Sequence, residues 1–287
     1  MLTRQCPEGG WQEPVTAVMD LLRPHDPQPS VMLAVVVERR ATEAEAPSSV
    51  LEFRGVSKRF PEGTLALTDV NFAVPPGEFV SIVGPSGCGK TTLLHLSAGL
   101  QRTTEGTIRV DTDKIGYVFQ DPALLPWRTV QANVELLAEL RGLSKTERRR
   151  RAHEAIELVG LTEFTRHRPR TLSGGMRMRV SLARSLTLNP ELFLFDEPFG
   201  ALDEITRQRL GTELLRLFIA SRFAAVLVTH SVTEAVFLGG RVLVMSERPG
   251  RIIGDFTVPF GYPRTPKILF DPDFTELAQE IATCLAG

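Results

Sequence analysis

Two short stretches of this sequence carry residue types that could handle a nucleoside triphosphate. The first is Gly84-Pro85-Ser86-Gly87-Cys88-Gly89-Lys90-Thr91, followed by Thr92. It fits the pattern G-x-x-x-x-G-K-[ST]. Glycines at these positions let successive backbone N–H groups curl around phosphate oxygens, and a following helix N-terminus adds positive potential. The Lys90 ammonium can reach the β- and γ-phosphates, and the Thr91 hydroxyl can ligate Mg²⁺. The second stretch is Leu192-Phe193-Leu194-Phe195-Asp196-Glu197, four apolar residues ending in two carboxylates. An Asp at the end of a buried strand can hold Mg²⁺ through its water shell. The next carboxylate, Glu197, can polarise an attacking water as a general base.

Both stretches need elements that hold them at one edge of a sheet. Phe79 to Val83 reads as a buried strand entering the glycine loop, and Lys90 to Leu100 as the helix leaving it. Ile115 to Phe119, Leu192 to Phe195, Ala224 to Val228 and Arg241 to Met245 read as further strands. Amphipathic stretches lie between them at Val130 to Arg141, Thr146 to Val159 and Ile205 to Ala220. Strands alternating with helices predict an α/β fold with a parallel sheet. From about Pro122 to Pro169 the alternation fails, since this region holds helices and no clear strand. It reads as a helical subdomain inserted into the core.

A third motif narrows the class. Leu172-Ser173-Gly174-Gly175-Met176 precedes an apolar helix at Arg179 to Leu188. A Ser-Gly-Gly turn at a helix N-terminus is a second phosphate-binding device. Here the sequence resembles the nucleotide-binding subunit of ABC transporters, whose signature is LSGGQ. The resemblance covers residues 50 to about 250. It implies a P-loop NTPase core of ABC type with an inserted helical subdomain (about 122–185) and an antiparallel β subdomain. It also implies ATP and Mg²⁺ as substrate and cofactor, and a dimer in which the signature of one subunit, Leu172 to Met176, caps the γ-phosphate held by the other. By the same resemblance Gln120 is the glutamine that touches Mg²⁺ and the attacking water. Ala201-Leu202-Asp203 is the segment crossing the dimer interface, His230 the switch histidine at the γ-phosphate, and Phe60 the aromatic that stacks on adenine. The assignment places Glu197, His230 and Gln120 in catalysis, and Thr91, Gln120 and Asp196 around the metal. Nucleotide contacts fall to Phe60 and to Gly84 through Thr92. Three positions depart from the commonest pattern: Phe60 where Tyr is usual, Met178 where Gln is frequent, and Ser231 where Asp is frequent.

Local features resemble one group within that family. They are Met176 ending the signature, the segment Leu124-Leu125-Pro126-Trp127-Arg128-Thr129-Val130, and Ser246-Glu247-Arg248-Pro249-Gly250-Arg251-Ile252. A tail with Pro263-Arg264 and a helix at Phe274 to Leu285 completes the likeness. Together these look like the ATPase subunits of the nitrate, sulfonate and taurine import group. The resemblance implies two transmembrane permease subunits, an extracytoplasmic solute-binding protein and a place on the cytoplasmic face of the membrane. Asp121 to Thr129 would line the permease groove, with Leu124, Leu125 and Trp127 as apolar anchors. A heterocyclic nutrient such as a pyrimidine precursor is a second class of cargo, and a soluble ABC ATPase without a transporter is the other alternative.

Composition constrains the rest. The net charge is −1 across 287 residues, so the chain is not built to grip nucleic acid. The N-terminal apolar run Val31 to Val37 is far short of the ~20 residues a span requires, so a membrane role would be peripheral. Three scattered cysteines, Cys6, Cys88 and Cys284, suit a reducing compartment. Residues 1–49 are proline-rich and weakly periodic, which predicts a flexible extension with one short strand at Val31 to Val37. The domain proper is expected over 50–255, followed by a tail over 256–287. The four arginines Arg148 to Arg151 are expected to form a solvated helix face. Cys88, at a helix N-terminus, is expected to have a lowered thiol pKa.

Overall fold

The computed structural model describes residues 49–200 and 202–286. The expected extension, its strand at Val31 to Val37 and Ala201 lie outside the described residues. Nine strands and seven α-helices follow in order among the described residues. β1 (Leu51–Arg59) and β2 (Leu65–Val74) precede β3 (Phe79–Val83), and α1 (Lys90–Ser97) comes next. β4 (Glu105–Val110) and β5 (Ile115–Val118) lead into α2 (Val130–Leu140), α3 (Lys145–Leu158) and α4 (Gly174–Leu186). Then come β6 (Leu192–Asp196), α5 (Glu204–Ser221), β7 (Ala224–Thr229), α6 (Val232–Leu238), β8 (Arg241–Met245), β9 (Ile252–Thr257) and α7 (Pro272–Ala286).

A six-stranded sheet runs in the order β5-β6-β7-β3-β8-β9. Its first five strands are parallel and β9 is antiparallel to β8. β3, β5, β6 and β7 are buried along their whole length, as expected of parallel strands covered on both faces. Side chains alternate between the two layers. Val80 and Ile82 pack with Leu93, Leu94 and Leu96 of α1, whereas Phe79 and Val83 pack with Leu214, Leu215 and Phe218 of α5. Because the strands are parallel, the ends of β3, β5, β6, β7 and β8 all open onto one edge, where a crevice can form.

A second, antiparallel sheet has the order β2-β1-β4. The reading of strands from the sequence named none of its three members, nor β9. The reason is local: β1 carries three register shifts against β2, which break the period-2 pattern. Between β5 and β6, α2, α3 and α4 build their own core from Val130, Val134, Ala152, Ile156, Leu172 and Val180. The signature helix starts at Gly174, earlier than the apolar pattern suggested, because Ser173 caps it. α1 ends at Ser97, short of Leu100, with Gly99 at φ 71° behind it.

The tail is packed rather than trailing. Phe274 and Ile281 of α7 are buried against the sheet layer that holds Phe79 and Phe218. Arg264 is only 3% exposed. Its guanidinium donates to Val236 O (2.7 Å), Phe237 O (3.0 Å), Gly239 O (2.8 Å) and Phe260 O (2.6 Å). It therefore satisfies the carbonyl end of α6, where a cation is also favoured by the helix dipole. The Tyr262 hydroxyl adds a bond to Leu238 O at 2.7 Å, with Arg264 over its ring. Arg264→Ala leaves these carbonyls unpaired, and a loss of roughly 3 kcal/mol is expected. Thermal unfolding should show it as a Tm drop of about 10 °C; a Tm within a degree or two of wild type would contradict the capping role.

Candidate functional site

The glycine loop joins β3 to α1 as the spacing predicted. Gly89 has φ 111°, and a Cβ there would meet Leu67 Cδ2 at 2.8 Å and Ala66 O at 3.0 Å. Only glycine fits both the backbone angle and the space. The Lys90 side chain is 5% exposed, and its ammonium donates to Gly84 O (2.8 Å) and Pro85 O (3.0 Å). The ammonium is thus wrapped into the loop that it follows.

β6 and β7 deliver the acidic and imidazole groups. Thr91 Oγ1 donates to Asp196 Oδ1 at 3.1 Å, and the Tyr117 hydroxyl from β5 approaches Asp196 Oδ2 at 3.5 Å. Burial raises the Asp196 pKa, and these two hydrogen bonds oppose it. Glu197 sits at φ 43°, in the left-handed region, where its N–H still bonds Val228 O at 3.0 Å. A non-glycine residue there is uncommon and is held by its surroundings. Glu197 Oε1 lies 3.8 Å from Lys90 Nζ, and Oε2 lies 3.2 Å from His230 Nδ1. An ionised carboxylate can only accept, so a hydrogen bond there puts the proton on Nδ1 of His230. Lys90, Thr91, Asp196, Glu197 and His230 thus form one connected cluster drawn from three strand ends.

The other predicted residues are carried by separate turns and helix starts. Gln120 follows β5 and is exposed. Thr92 is half-buried in the first turn of α1. Phe60 is half-buried in the turn between β1 and β2, with Lys58 Nζ 5.2 Å from its ring centroid. The signature turn packs against the segment after β6. Ser173 Oγ accepts from Met176 N at 3.2 Å, and a Cβ on Gly175 would strike Thr206 Cγ2 at 2.8 Å. Asp203 caps α5 through a 2.9 Å bond from Thr206 N, which helps hold its carboxyl below the usual range. The departures are accounted for as well. Met178 is buried in the layer that holds Phe195, and Ser231 Oγ caps α6 by accepting from Glu234 N at 3.3 Å.

Two expectations change. Cys88 is 1% exposed, and burial pushes its thiol up, outweighing the lowering from Lys90 and the helix start. Its alkylation by iodoacetamide at pH 8 should be at least ~10-fold slower than that of free cysteine; labelling at the free-cysteine rate would contradict this burial. Leu125 is also buried, held by Asn133 Oδ1, so it offers no surface anchor, whereas Trp127 is 60% exposed. The arginine run forms the expected solvated helix face, with Arg149 and Arg150 exposed and Arg148 and Arg151 half-buried, and three of the four make surface ion pairs. Arg148 meets Glu135 and Glu139, Arg150 meets Glu147 and Glu154, and Arg151 meets Glu147.

One contribution from the loop between β8 and β9 was missed. Arg248 donates to Gly87 O through Nε (3.0 Å) and Nη2 (2.8 Å), bracing the glycine loop from behind. Gly250 lies so close that a Cβ there would overlap Cys88 O. Arg248-Pro249-Gly250 was visible in the sequence, and nothing in its composition told that it packs on a loop about 160 positions earlier.

Residues 67–200 match the ABC transporter family. The nitrate import ATP-binding protein NrtD of Synechococcus elongatus is 39% identical over 254 residues, covering 84% of this chain and 93% of that protein. The taurine import ATP-binding protein TauB of Rhizobium johnstonii is 42% identical over 241 residues, covering 79% and 91%. Among solved structures, the dimer of MJ0796, a bacterial ABC transporter cassette, aligns with a TM-score of 0.66 at 33% identity, over 74% of this chain and 100% of that one. A post-hydrolysis state of the same cassette, bound to ADP and Pi, aligns with a TM-score of 0.65 at 34% identity.

Proposed function

The chain belongs to the ABC transporter family of ATP-binding proteins, and on that premise we propose that it is the ATP-hydrolysing motor subunit of an importer for a small oxyanionic solute. The observation that carries the hydrolytic part is the cluster of Lys90, Thr91, Asp196, Glu197 and His230 at one sheet edge. On binding, the N–H groups of Gly84 to Gly89 wrap the phosphates, and Lys90 turns from its loop carbonyls toward the β- and γ-oxygens. Glu197 orients and deprotonates the attacking water, and His230, held on Glu197 Oε2, faces the γ-phosphate. Phe60 offers a ring to the adenine.

The residues present fit Mg²⁺. Thr91 Oγ1 and Asp196 Oδ1 are hard oxygen donors 3.1 Å apart, with Gln120 as a third candidate. The ion would supply charge neutralisation on the phosphate oxygens. We place the signature Leu172 to Met176 opposite the nucleotide of a second copy, with Asp203 at the crossing. Two permease subunits would dock at the segment around Trp127, and a solute-binding protein would act through them. No helix among the described residues is long and apolar enough to cross a membrane; we place the chain's attachment to the membrane in its contact with the permease. The relatives named for nitrate and taurine import favour an oxyanion over a heterocycle as cargo.

Phosphate release from ATP by the purified full chain with Mg²⁺, alone and with its permease in vesicles, tests this reading. ATP-dependent uptake of nitrate or a sulfonate is the expected result. Hydrolysis that never couples to solute movement would remove the transport half of the proposal.

A further inference from the structure

The turn that presents His230 is tied down on both sides by one residue. Thr229 Oγ1 donates to Glu234 Oε2 at 3.1 Å and accepts from Ser231 N at 3.1 Å. Ser231 Oγ in turn accepts from the backbone N–H of Glu234 at 3.3 Å. The second carboxylate oxygen of Glu234, Oε1, is shut off from solvent and has no donor on it among the described residues. Arg207 on α5 lies within electrostatic reach of it, its charge favouring the ionised carboxylate. It spends Nη1 on Glu204 Oε2 (2.9 Å) and Nη2 on Leu202 O (3.0 Å), and its Nε is buried without an acceptor. Leaving a buried donor and a buried acceptor unmatched is costly, and pairing them relieves both.

We propose that Glu234 and Arg207 link the switch turn to the helix that opens at Asp203, with Arg207 Nε pairing to Glu234 Oε1 when a second copy presses on that helix in the ATP-bound state. The proposal rests on the ATPase reading above. Glu234 touches neither the nucleotide nor the attacking water, so it is a positioning residue. It keeps the His230 ring on Glu197, and it carries movement at Leu202 and Asp203 to that ring. Burial pushes the Glu234 carboxyl up to about 7, against the Thr229 bond and the charge of Arg207. Glu204 of α5 and Glu197 at the end of β6 face it and push in the same direction as burial. The link needs the ionised carboxylate, so it is weak below pH 7 and strengthens as pH rises through that value.

The test compares wild type, Glu234→Gln, Arg207→Gln and the double variant as full chains, by steady-state ATP hydrolysis and by equilibrium binding of a fluorescent ATP analogue. Each single variant should lower kcat about tenfold, leave KM and analogue affinity within about twofold, and the double should be no slower than the slower single. Wild-type kcat should also rise between pH 6 and pH 8, and Glu234→Gln should flatten that rise. Glu234→Asp keeps the charge and should restore part of the rise, which a purely structural role would not. Unchanged kcat in the singles, or losses that multiply in the double, would overturn the link. The wild-type rate in the same assay reports separately on the ATPase reading.

Discussion

Glu197→Gln should bind ATP as tightly as wild type and lose turnover by about 10²–10⁴-fold. The amide keeps the size and the hydrogen-bonding oxygen of the carboxylate, so the contact with His230 at 3.2 Å can persist. What it loses is basicity, and with it the route for the proton of the attacking water. The effect should be confined to chemistry because the backbone of residue 197 is held independently. Its N–H is bonded to Val228 O at 3.0 Å, and its carbonyl accepts from Gly200 N at 3.1 Å. Single-turnover phosphate release and filter binding of labelled ATP separate the two quantities. Turnover near wild type would remove Glu197 from the general-base role.

Lys90→Ala should act on the other quantity and weaken ATP binding at least ~100-fold. The Lys90 ammonium is buried beside Gly84 and Pro85, at the mouth of the loop that cradles phosphate. A charge-assisted bond in such a place is worth about 3 kcal/mol, which converts to a factor of that size in affinity. Removing it also frees Glu197 from the cation 3.8 Å away, so a carboxylate faces the phosphates unopposed. Isothermal titration with a non-hydrolysed ATP analogue reads the loss, and affinity within threefold of wild type would mean that the loop N–H groups alone hold the phosphates.

How far the sequence could be read depended on whether a signal was local. β3, β6, β7 and β8 are mostly apolar runs, with Ser81 inside β3 and Arg241 opening β8, that run out at Gly84, Asp196, Thr229 and Ser246, so strand, strand end and candidate group were legible together. Ser173 and Asp203 were singled out for other roles, and that they cap α4 and α5 emerged only with the fold. The antiparallel strands were not legible, because bulges in β1 disrupt their alternation and their partners are set by the sheet. Long-range contacts were also invisible: Arg248 on Gly87 and Arg264 on the end of α6. Cys88 shows how a sound local argument fails. The helix start and Lys90 do favour the thiolate, and burial, which no local pattern reveals, outweighs them. The same blindness put Leu125 on the surface, where the fold buries it.

The central claim, an ATP-driven motor that works on a membrane permease, is most directly tested by what the arrested protein holds. Glu197→Gln, tagged and purified from native membranes with ATP and Mg²⁺, should bring down a multispanning permease together with its solute-binding protein, identified by mass spectrometry. Recovery of ribosomal or nucleic-acid-bound proteins with no membrane protein would contradict the transport account and leave ATP hydrolysis as the function.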